Sequence, residues 1–149
     1  MTRNNITTDH TLIIDELEKS IKINKWDFIL SFLPKDSYLV GGYIRDIILG
    51  RVTKKIDVDI VVPFNAIEIG KKIAENIGSK FIILDKKREV VRIILKNIDI
   101  DIDIDIDIAN QVTSTIEGDL CARDFSINSI AFLFNKKCLF DPLNGLKDL

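Results

Sequence analysis

Two aspartates in an apolar segment, Asp57 and Asp59, have the spacing that most directly predicts chemistry. Residues two apart on a β-strand project from the same face, so these carboxylates would lie about 6 to 7 Å apart along the chain. Two carboxylates on one rigid face can hold a hard cation such as magnesium, or bridge two, an arrangement suited to phosphoryl transfer. The alternative interpretation is a solvent-facing strand with ordinary acidic residues.

A second candidate site is the segment 38–46, in which a β-prone run turns through Gly41 and Gly42 directly into a helix start. Glycines let backbone N–H groups approach an anion closely, and a helix N-terminus carries about half a positive charge. Arg45 adds a full positive charge, so the segment predicts a binding site for a triphosphate. The alternative is a simple tight turn, with Arg45 paired to an exposed acid.

An alternating isoleucine–aspartate tract occupies residues 98–108 and predicts a strand with one apolar and one acidic face. If the acidic face lies beside Asp57 and Asp59, one of its residues could supply a third metal-binding carboxylate. The register stays open, because slipping such a repeat by two residues preserves every inside and outside position. We expect most of these side chains to face solvent, and a calcium-binding face would lack glycine turns between its ligands. The five acids are Asp99, Asp101, Asp103, Asp105 and Asp107.

A third group of polar residues, Arg123, Asp124 and Asn128, precedes an apolar run. Arg123 could bind phosphate, and Asn128 could form a hydrogen bond with a sugar or base. The alternative is a local ion pair between Arg123 and Asp124, with Asn128 as a helix cap. The only histidine, His10, lies in the amino-terminal tail, which disfavours histidine-based catalysis, and no GxxxxGK[ST] loop is present.

Hydrophobic periodicity predicts the elements that position these groups. Apolar residues at every fourth position predict a helix over residues 9–22, and a second apolar stretch ends at Pro34. A strand then turns into a helix that ends at Gly50, and an alternating strand ends at Pro63.

The next helix begins at Asn65, with Glu68 three residues on as in a capping box, and ends at Gly78. Three consecutive strands are predicted in FIILD, VVRIIL and the isoleucine–aspartate tract, with KKRE as the first turn. The last third predicts a helix-to-strand segment in SINSIAFLF, an edge strand in KCLFDP and the beginning of a helix in DPLNGLKDL.

Composition indicates one globular domain, because the chain has 149 residues, of which 46% are hydrophobic and 30% charged. We expect a cytoplasmic protein without a membrane segment or signal peptide, and two cysteines are too few for a disulfide framework or a zinc site. The net charge of −2 is not typical of a nucleic-acid-binding protein, but without the five tract aspartates it would be +3 (−2 + 5).

Four motifs occur in a fixed order: LVGGYIRDIILGR, KKIDVDIVV, DLCARDFSINSIA and DPLNGLKDL. Together they resemble the head of class II tRNA nucleotidyltransferases, which comprise CCA-adding enzymes and bacterial poly(A) polymerases within the DNA polymerase beta superfamily. The resemblance covers residues 37–149 and implies an α/β fold, a polymerase-beta-like head with a mixed β-sheet flanked by helices. We expect residues 1–36 to form a helical extension packed on that head.

The resemblance also implies an activity: attack of an RNA 3′-hydroxyl, such as that of tRNA, on the α-phosphate of ATP or CTP. Asp57 and Asp59 would bind two catalytic magnesium ions. The further acid that the family carries on a nearby strand is best matched by Asp107, with Asp105 next. The residues expected to contact the nucleotide are Gly41, Gly42, Arg45, Arg123, Asp124 and Asn128.

Two departures from the family pattern limit the resemblance. Ala122 replaces the first arginine of the usual Arg-Arg-Asp motif. The family's base-selecting motif, and the neck, body and tail that hold tRNA, would lie beyond Leu149, so we expect a head that a separate chain could complete. The other hypotheses are a nucleotide-binding or regulatory module that is inactive alone, a minimal nucleotidyltransferase of the toxin or antitoxin type, and a structural α/β domain.

Overall fold

The computed structural model of the protein describes residues 9–51, 53–97 and 99–149. Within these ranges the chain forms five α-helices, seven β-strands and two short 3-10 helices, the latter at Asp27–Phe32 and Ser126–Asn128. The helices are α1 (His10–Ile23), α2 (Gly42–Ile48), α3 (Ala66–Ile77), α4 (Ile116–Cys121) and α5 (Gly145–Asp148). The strands are β1 (Tyr38–Val40), β2 (Lys55–Val62), β3 (Lys80–Asp85), β4 (Val90–Asn97), β5 (Ile102–Asn110), β6 (Ala131–Leu133) and β7 (Cys138–Phe140).

All seven strands of the described part of the chain join one sheet, in the order β3-β4-β5-β2-β1-β6-β7. The central pair, β2 and β5, is parallel, and the other neighbouring strands are antiparallel. The predicted mixed sheet flanked by helices is therefore confirmed. The predicted strands in FIILD, VVRIIL and KCLFDP are also confirmed, with KCLFDP at one edge of the sheet.

Alternation along the central strands separates an apolar face from an acidic face. On the apolar face Ile60 of β2 and Ile104, Ile106 and Ile108 of β5 are almost fully buried, and α2 and α3 pack against these strands. Burial of this surface is the main source of stability, at about 25 cal/mol per Å² of apolar area. The side chains of this core that are buried most completely include Leu39, Ile44, Ile60, Ile73, Ile93, Ile104, Ile106 and Phe132.

The opposite face, which we call the acidic face, carries the odd-numbered aspartates of β2 and β5. Next to it lies a small second core, in which α4 packs on β1, β2 and β6. Its buried residues are Val40, Val61, Ile116, Leu120 and Ala131. The sequence patterns did not predict α4, because this helix has only six residues and contains a glycine.

Helix α1 packs against α2 and also contacts β7. Leu17 of α1 is completely buried, as is Trp26 in the loop that follows. The Tyr43 hydroxyl of α2 lies 2.7 Å from the Ser20 hydroxyl, and the Trp26 indole N–H donates to the Tyr43 oxygen at 3.4 Å. Helix α1 thus holds the start of α2 from behind through a small polar cluster.

Two local predictions were wrong. Asn65 does not cap α3, because it adopts a left-handed conformation (φ 58°) without a side-chain cap, and the Ala66 N–H donates instead to Asn110 Oδ1 at 2.9 Å. The isoleucine–aspartate strand begins at Ile102, because Asp99 and Asp101 lie in the turn after β4. The predicted start of that strand, Ile98, lies outside the described residues.

In the ranges that the structure covers, no helix combines the length and the apolar character that crossing a bilayer would require.

Candidate active site

The β2–β5 register determines which acids of the tract lie beside Asp57 and Asp59. In this parallel pair, Asp105 lies opposite Asp57, and Asp107 lies opposite Asp59. Neighbouring strands are about 4.8 Å apart, so the two strands present a compact square of four carboxylates. Both candidates for the third acid are therefore close to the predicted metal pair, with Asp107 beside Asp59.

The tract aspartates differ in exposure along β5. Asp99, Asp101 and Asp103 are exposed, as expected, but the side chains of Asp105 and Asp107 are only 11% and 22% exposed. Three of the five tract aspartates therefore face solvent, which agrees with the expectation for most of them, although the sequence predicted about four. Asp105 and Asp107 are less exposed because β4 and β2 flank this part of β5, and side chains from both strands cover it. Lys55 of β2, for example, places its Nζ 3.4 Å from Asp105 Oδ2.

Arg92 of β4 is a site residue that the sequence analysis missed. It lies opposite Asp107 in the antiparallel β4–β5 pair. Its Nε donates to Asp107 Oδ1 at 2.7 Å, and its Nη2 donates to Asp107 Oδ2 at 2.9 Å, which makes a bidentate pair. Hydrogen bonding to Asp107 raises the pKa of the Arg92 guanidinium further above its usual value. The sequence feature that could have indicated Arg92 is that it is the single cation in the apolar run VVRIIL.

Asp59 is the most electrostatically perturbed acid of the described site. Its pKa is raised, first by burial and then by the negative charges of Asp107 and Asp57, while Arg123 and Arg92 act in the opposite direction. Burial and like charges both disfavour the ionised form of a carboxyl group. The site therefore holds negative charge that its own cations only partly balance.

The glycine turn lies directly against this acid. Gly41 has φ 80° and ψ −145°, a conformation that essentially only glycine adopts. A Cβ atom placed on Gly41 would lie 3.3 Å from Asp59 Oδ2 and 3.4 Å from Arg123 Nη1. The turn, the carboxylate and the Arg123 guanidinium therefore converge on one point. Arg123 reaches it because α4, which ends two residues earlier, packs on the sheet beside Asp59.

Arg45 connects two motifs that lie far apart in sequence. Its Nη1 donates to Asn128 Oδ1 at 2.9 Å, and its Nη2 lies 2.8 Å from Asp46 Oδ1. The alternative, in which Arg45 pairs with an exposed acid, applies only in part, because Asp46 is half-buried and Arg45 contacts Asn128 as well. Asn128 accepts this hydrogen bond and does not act as a helix cap. Asp124 is exposed, and no ion pair with Arg123 is found among the described residues.

The final motif supports the segment that carries Asn128. The backbone N–H groups of Gly145 and Leu146 donate to the Asp141 carboxylate at 2.6 and 3.1 Å. A Cβ atom on Gly145 would lie only 2.1 Å from the Ser126 carbonyl oxygen, and the Ser126 hydroxyl bonds to Asp148. The DPLNGLKDL segment therefore packs closely under the 3-10 helix Ser126–Asn128 and fixes its position.

A cleft of about 710 Å³ lies between α1, α2 and the start of β2. This volume falls in the range of small-molecule sites. The cleft is lined by Gly42, Arg45, Asp57 and Asp59 and, on the α1 side, by Lys19 and Asn24. Another cleft in the described part of the chain, of about 670 Å³, is lined by Asp99 of the tract but by none of the residues expected to contact the nucleotide or by Asp57, Asp59 or Asp107.

As the side chains stand in the described ranges, no three or more acids, histidines or cysteines are arranged as ligands of one metal ion. The donor chemistry nevertheless fits a hard cation. Asp57 is exposed and Asp59 is half-buried beside it; burial first, and then the charges of Asp107 and Asp57, raise the pKa of Asp59, and a bound cation would stabilise its ionised form. Asp57 and Asp59 are the residues that could hold such an ion.

The model of the family described as "Poly A polymerase head domain" matches residues 37–149. The chain belongs to this family. The resemblance stated from the four motifs is therefore confirmed, and so is its class, the head of tRNA nucleotidyltransferases and poly(A) polymerases.

Relatives of the head family have similar sequences and folds. A CC-adding tRNA nucleotidyltransferase from Synechocystis is 39% identical over 122 residues, which are 82% of this chain and 28% of that protein. A CC-adding enzyme from Geobacter sulfurreducens is 36% identical and covers 76% of this chain and 25% of its own length. The solved structure of a CCA-adding enzyme with ATP superposes with a TM-score of 0.70 at 31% identity, over 93% of this chain and 34% of that one.

The chain thus spans about a quarter of the length of these curated relatives. The head-family match begins at residue 37. The match to the solved structure covers more of the chain and therefore includes residues before that position. The comparisons establish the family and the fold of the head.

Proposed function

We propose that this head transfers a nucleotide from CTP or ATP to the 3′-hydroxyl of tRNA, with release of pyrophosphate. The observation that supports this most strongly is the convergence of Asp59, Gly41 and Arg123 on one point beside Asp57. Both curated relatives compared above are CC-adding tRNA nucleotidyltransferases, which makes CTP the first nucleotide to test. In the reaction, the 3′-oxygen forms a bond to the α-phosphorus, and the bond from that phosphorus to the β-phosphate oxygen breaks.

The glycine turn and Arg45 form the anion-binding part of the site. Gly42 and Tyr43, at the start of α2, line the cleft, and Arg45 lines it as well. Arg45 is held by Asp46 and Asn128, so its position is fixed before a ligand arrives. A held guanidinium loses little entropy when it binds a phosphate, which favours the triphosphate of the incoming nucleotide.

The acidic face supplies the groups that hold divalent cations. Asp57 and Asp59 would hold two magnesium ions, and Asp107 is the third carboxylate of the site. Magnesium bound there would lower the pKa of the attacking hydroxyl and neutralise charge on the triphosphate. The carboxylates would bind the cations and supply the negative charge of the site, and they do not attack the nucleotide. Arg123 adds a cation beside Asp59 where negative charge on the phosphates accumulates.

A second candidate function is a nucleotide-binding head that turns over only with a neck and body, on the same or a separate chain. This function is favoured because the chain spans about a quarter of the length of its curated relatives. Both functions predict the same metal and nucleotide site, and they differ in whether the isolated chain extends RNA.

The test is incorporation of labelled CTP and ATP into tRNA that lacks its 3′ CCA, with magnesium. The wild-type chain is compared with an Asp57→Asn, Asp59→Asn double variant and with Asp103→Asn, an exposed acid of the same face, as the matched control. We expect extension with wild type and Asp103→Asn and a loss of at least about 100-fold in the double variant. Nucleotide binding is measured in parallel by calorimetry.

The two readouts separate the candidate functions. Magnesium-dependent CTP or ATP binding without extension, in a folded sample, would favour the head that requires further domains. Extension that persists in the double variant, or an absence of nucleotide binding in every variant, would refute the proposed site.

A further inference from the structure

Arg92 belongs to none of the predicted motifs, although it makes the closest ionic contacts of the acidic face. Its two hydrogen bonds to Asp107, at 2.7 and 2.9 Å, occupy both carboxylate oxygens. Its Nη1 also lies 3.9 Å from Asp105 Oδ2. The Arg92 side chain is 35% exposed, so it is accessible from the site and not part of the buried core.

The β4–β5–β2 register places Arg92, Asp107 and Asp59 in one row across three adjacent strands. An aspartate carboxylate normally rotates with little preference about its last torsion angle. A planar guanidinium bound through two parallel hydrogen bonds removes that freedom and fixes the plane of the carboxylate. Lysine at this position would keep the charge but not the planar fork.

The same contacts change the charge that the acidic face presents to a cation. Four carboxylates lie in the square formed by β2 and β5, and Arg92 and Lys55 are the cations that pair with Asp105 and Asp107 in the described structure. Asp57 and Asp59, by contrast, form no ion pair with a lysine or arginine among the described residues, although the Arg123 guanidinium lies beside Asp59. The β5 half of the square is therefore neutralised, whereas the β2 half keeps more carboxylates than cations.

We propose that Arg92 is a positioning residue, which fixes the orientation of Asp107 for the reaction and restricts divalent-cation binding to the Asp57–Asp59 half of the acidic face. The inference rests on the proposed function. It assigns to β4, a strand without any predicted site residue, a role in setting both the geometry and the cation affinity of the site.

The test is manganese binding to the metal-free chain, followed by the electron paramagnetic resonance signal of the free ion. Arg92→Gln removes both the positive charge and the planar pair of hydrogen bonds to Asp107, whereas Arg92→Lys keeps the charge and removes only the planar pair. Arg88→Gln, in the exposed β3–β4 turn, is the control with the same change of charge. We expect Arg92→Gln to bind manganese about three- to tenfold more tightly, because a cation beside the site is lost. Arg92→Lys and Arg88→Gln should stay near the wild-type affinity.

The orientation of Asp107 is tested separately by crystal structures of wild type, Arg92→Gln and Arg92→Lys in the presence of a chelator. We expect the Asp107 carboxylate to leave its wild-type plane, or to occupy several orientations, in both variants. An unchanged Asp107 in both variants, or equal manganese affinities of Arg92→Gln and Arg88→Gln, overturns the proposal.

A different experimental result would refute the proposed function. If wild type binds manganese no better than the Asp57→Asn, Asp59→Asn variant, the metal pair is refuted, and the crystal structures alone decide whether Arg92 positions Asp107. Where activity is present, Arg92→Lys should lower kcat at least tenfold with little change in KM for CTP, because the ground-state nucleotide contacts remain. A purely structural role would not separate kcat from KM in this way.

Discussion

Gly41 is the residue at which the three parts of the site meet. Substitution by alanine places a methyl group 3.3 Å from Asp59 Oδ2 in a conformation that disfavours any side chain. We expect Gly41→Ala to lose about 1 to 3 kcal/mol of stability in urea denaturation and to bind CTP at least tenfold more weakly. Gly78→Ala, at a left-handed position with open space around it, is the control and should lose about 1 kcal/mol with normal CTP affinity. Equal CTP affinities of the two variants would show that the turn does not contact the nucleotide.

The ionised Asp59 carboxylate lowers the folding stability of the metal-free protein. Because burial and the charges of Asp107 and Asp57 raise its pKa above the unfolded value, the ionised form destabilises the fold. We expect Asp59→Asn to be more stable than wild type by about 0.5 to 1 kcal/mol at pH 7.5 in chelator, and this advantage should shrink as the pH falls and Asp59 becomes protonated. Asp103→Asn should be neutral. A wild-type protein that is the more stable one at pH 7.5 would contradict this account of the site's charge.

At the scale of elements, α1 stabilises the start of α2 through Tyr43. The Tyr43 hydroxyl lies 2.7 Å from Ser20 Oγ and accepts from the Trp26 indole at 3.4 Å. We expect Tyr43→Phe to lower the free energy of unfolding by about 1 to 2 kcal/mol, because buried polar partners lose a hydrogen bond. Ser20→Ala should cost about 1 kcal/mol, and the double variant should cost less than the sum. Strict additivity in urea denaturation would mean that the two helices are not coupled through this contact.

The elements also show what the sequence could predict and what it could not. Period-two alternation predicts β2 and most of β5, because each of these strands buries one face, whereas short apolar runs predict β3 and β4. The same regularity hides the register, since a slip of two residues in the isoleucine–aspartate repeat leaves the pattern unchanged. The position of Asp107 beside Asp59, and with it the contact to Arg92, depends on that register across three strands. Local motifs identified Gly41, Arg45, Asp57 and Asp59, whereas Arg92 became recognisable only in the assembled sheet.

Asn65 illustrates the opposite case, in which a tertiary contact overrides a local signal. Its sequence context matches a capping box, but Asn110 at the end of β5 supplies the oxygen that accepts from the Ala66 N–H. Once that donor is satisfied from the sheet, Asn65 is free to adopt the left-handed conformation that asparagine tolerates. Signals that involve only neighbouring residues are therefore least reliable where a helix begins against a strand end.

At the scale of the whole molecule, the sheet separates stability from chemistry. Its apolar face carries the main core beneath α2 and α3, and its acidic face carries the four carboxylates of β2 and β5. Helix α4 and the final motif then bring Arg123 and Asn128 to the edge of that face, where Gly41 and Arg45 lie. Four motifs scattered over more than 100 residues therefore form one site only when the sheet is complete.

We propose that this site holds divalent cations on Asp57 and Asp59 with a triphosphate against the glycine turn. A crystal structure with manganese and a non-hydrolysable CTP analogue tests this, because anomalous scattering locates the metal. We expect manganese about 2.1 Å from oxygens of both Asp57 and Asp59, with the triphosphate beside Gly42 and Arg45. Manganese bound only at the exposed end of the tract, near Asp101 and Asp103, with the nucleotide elsewhere, would contradict it.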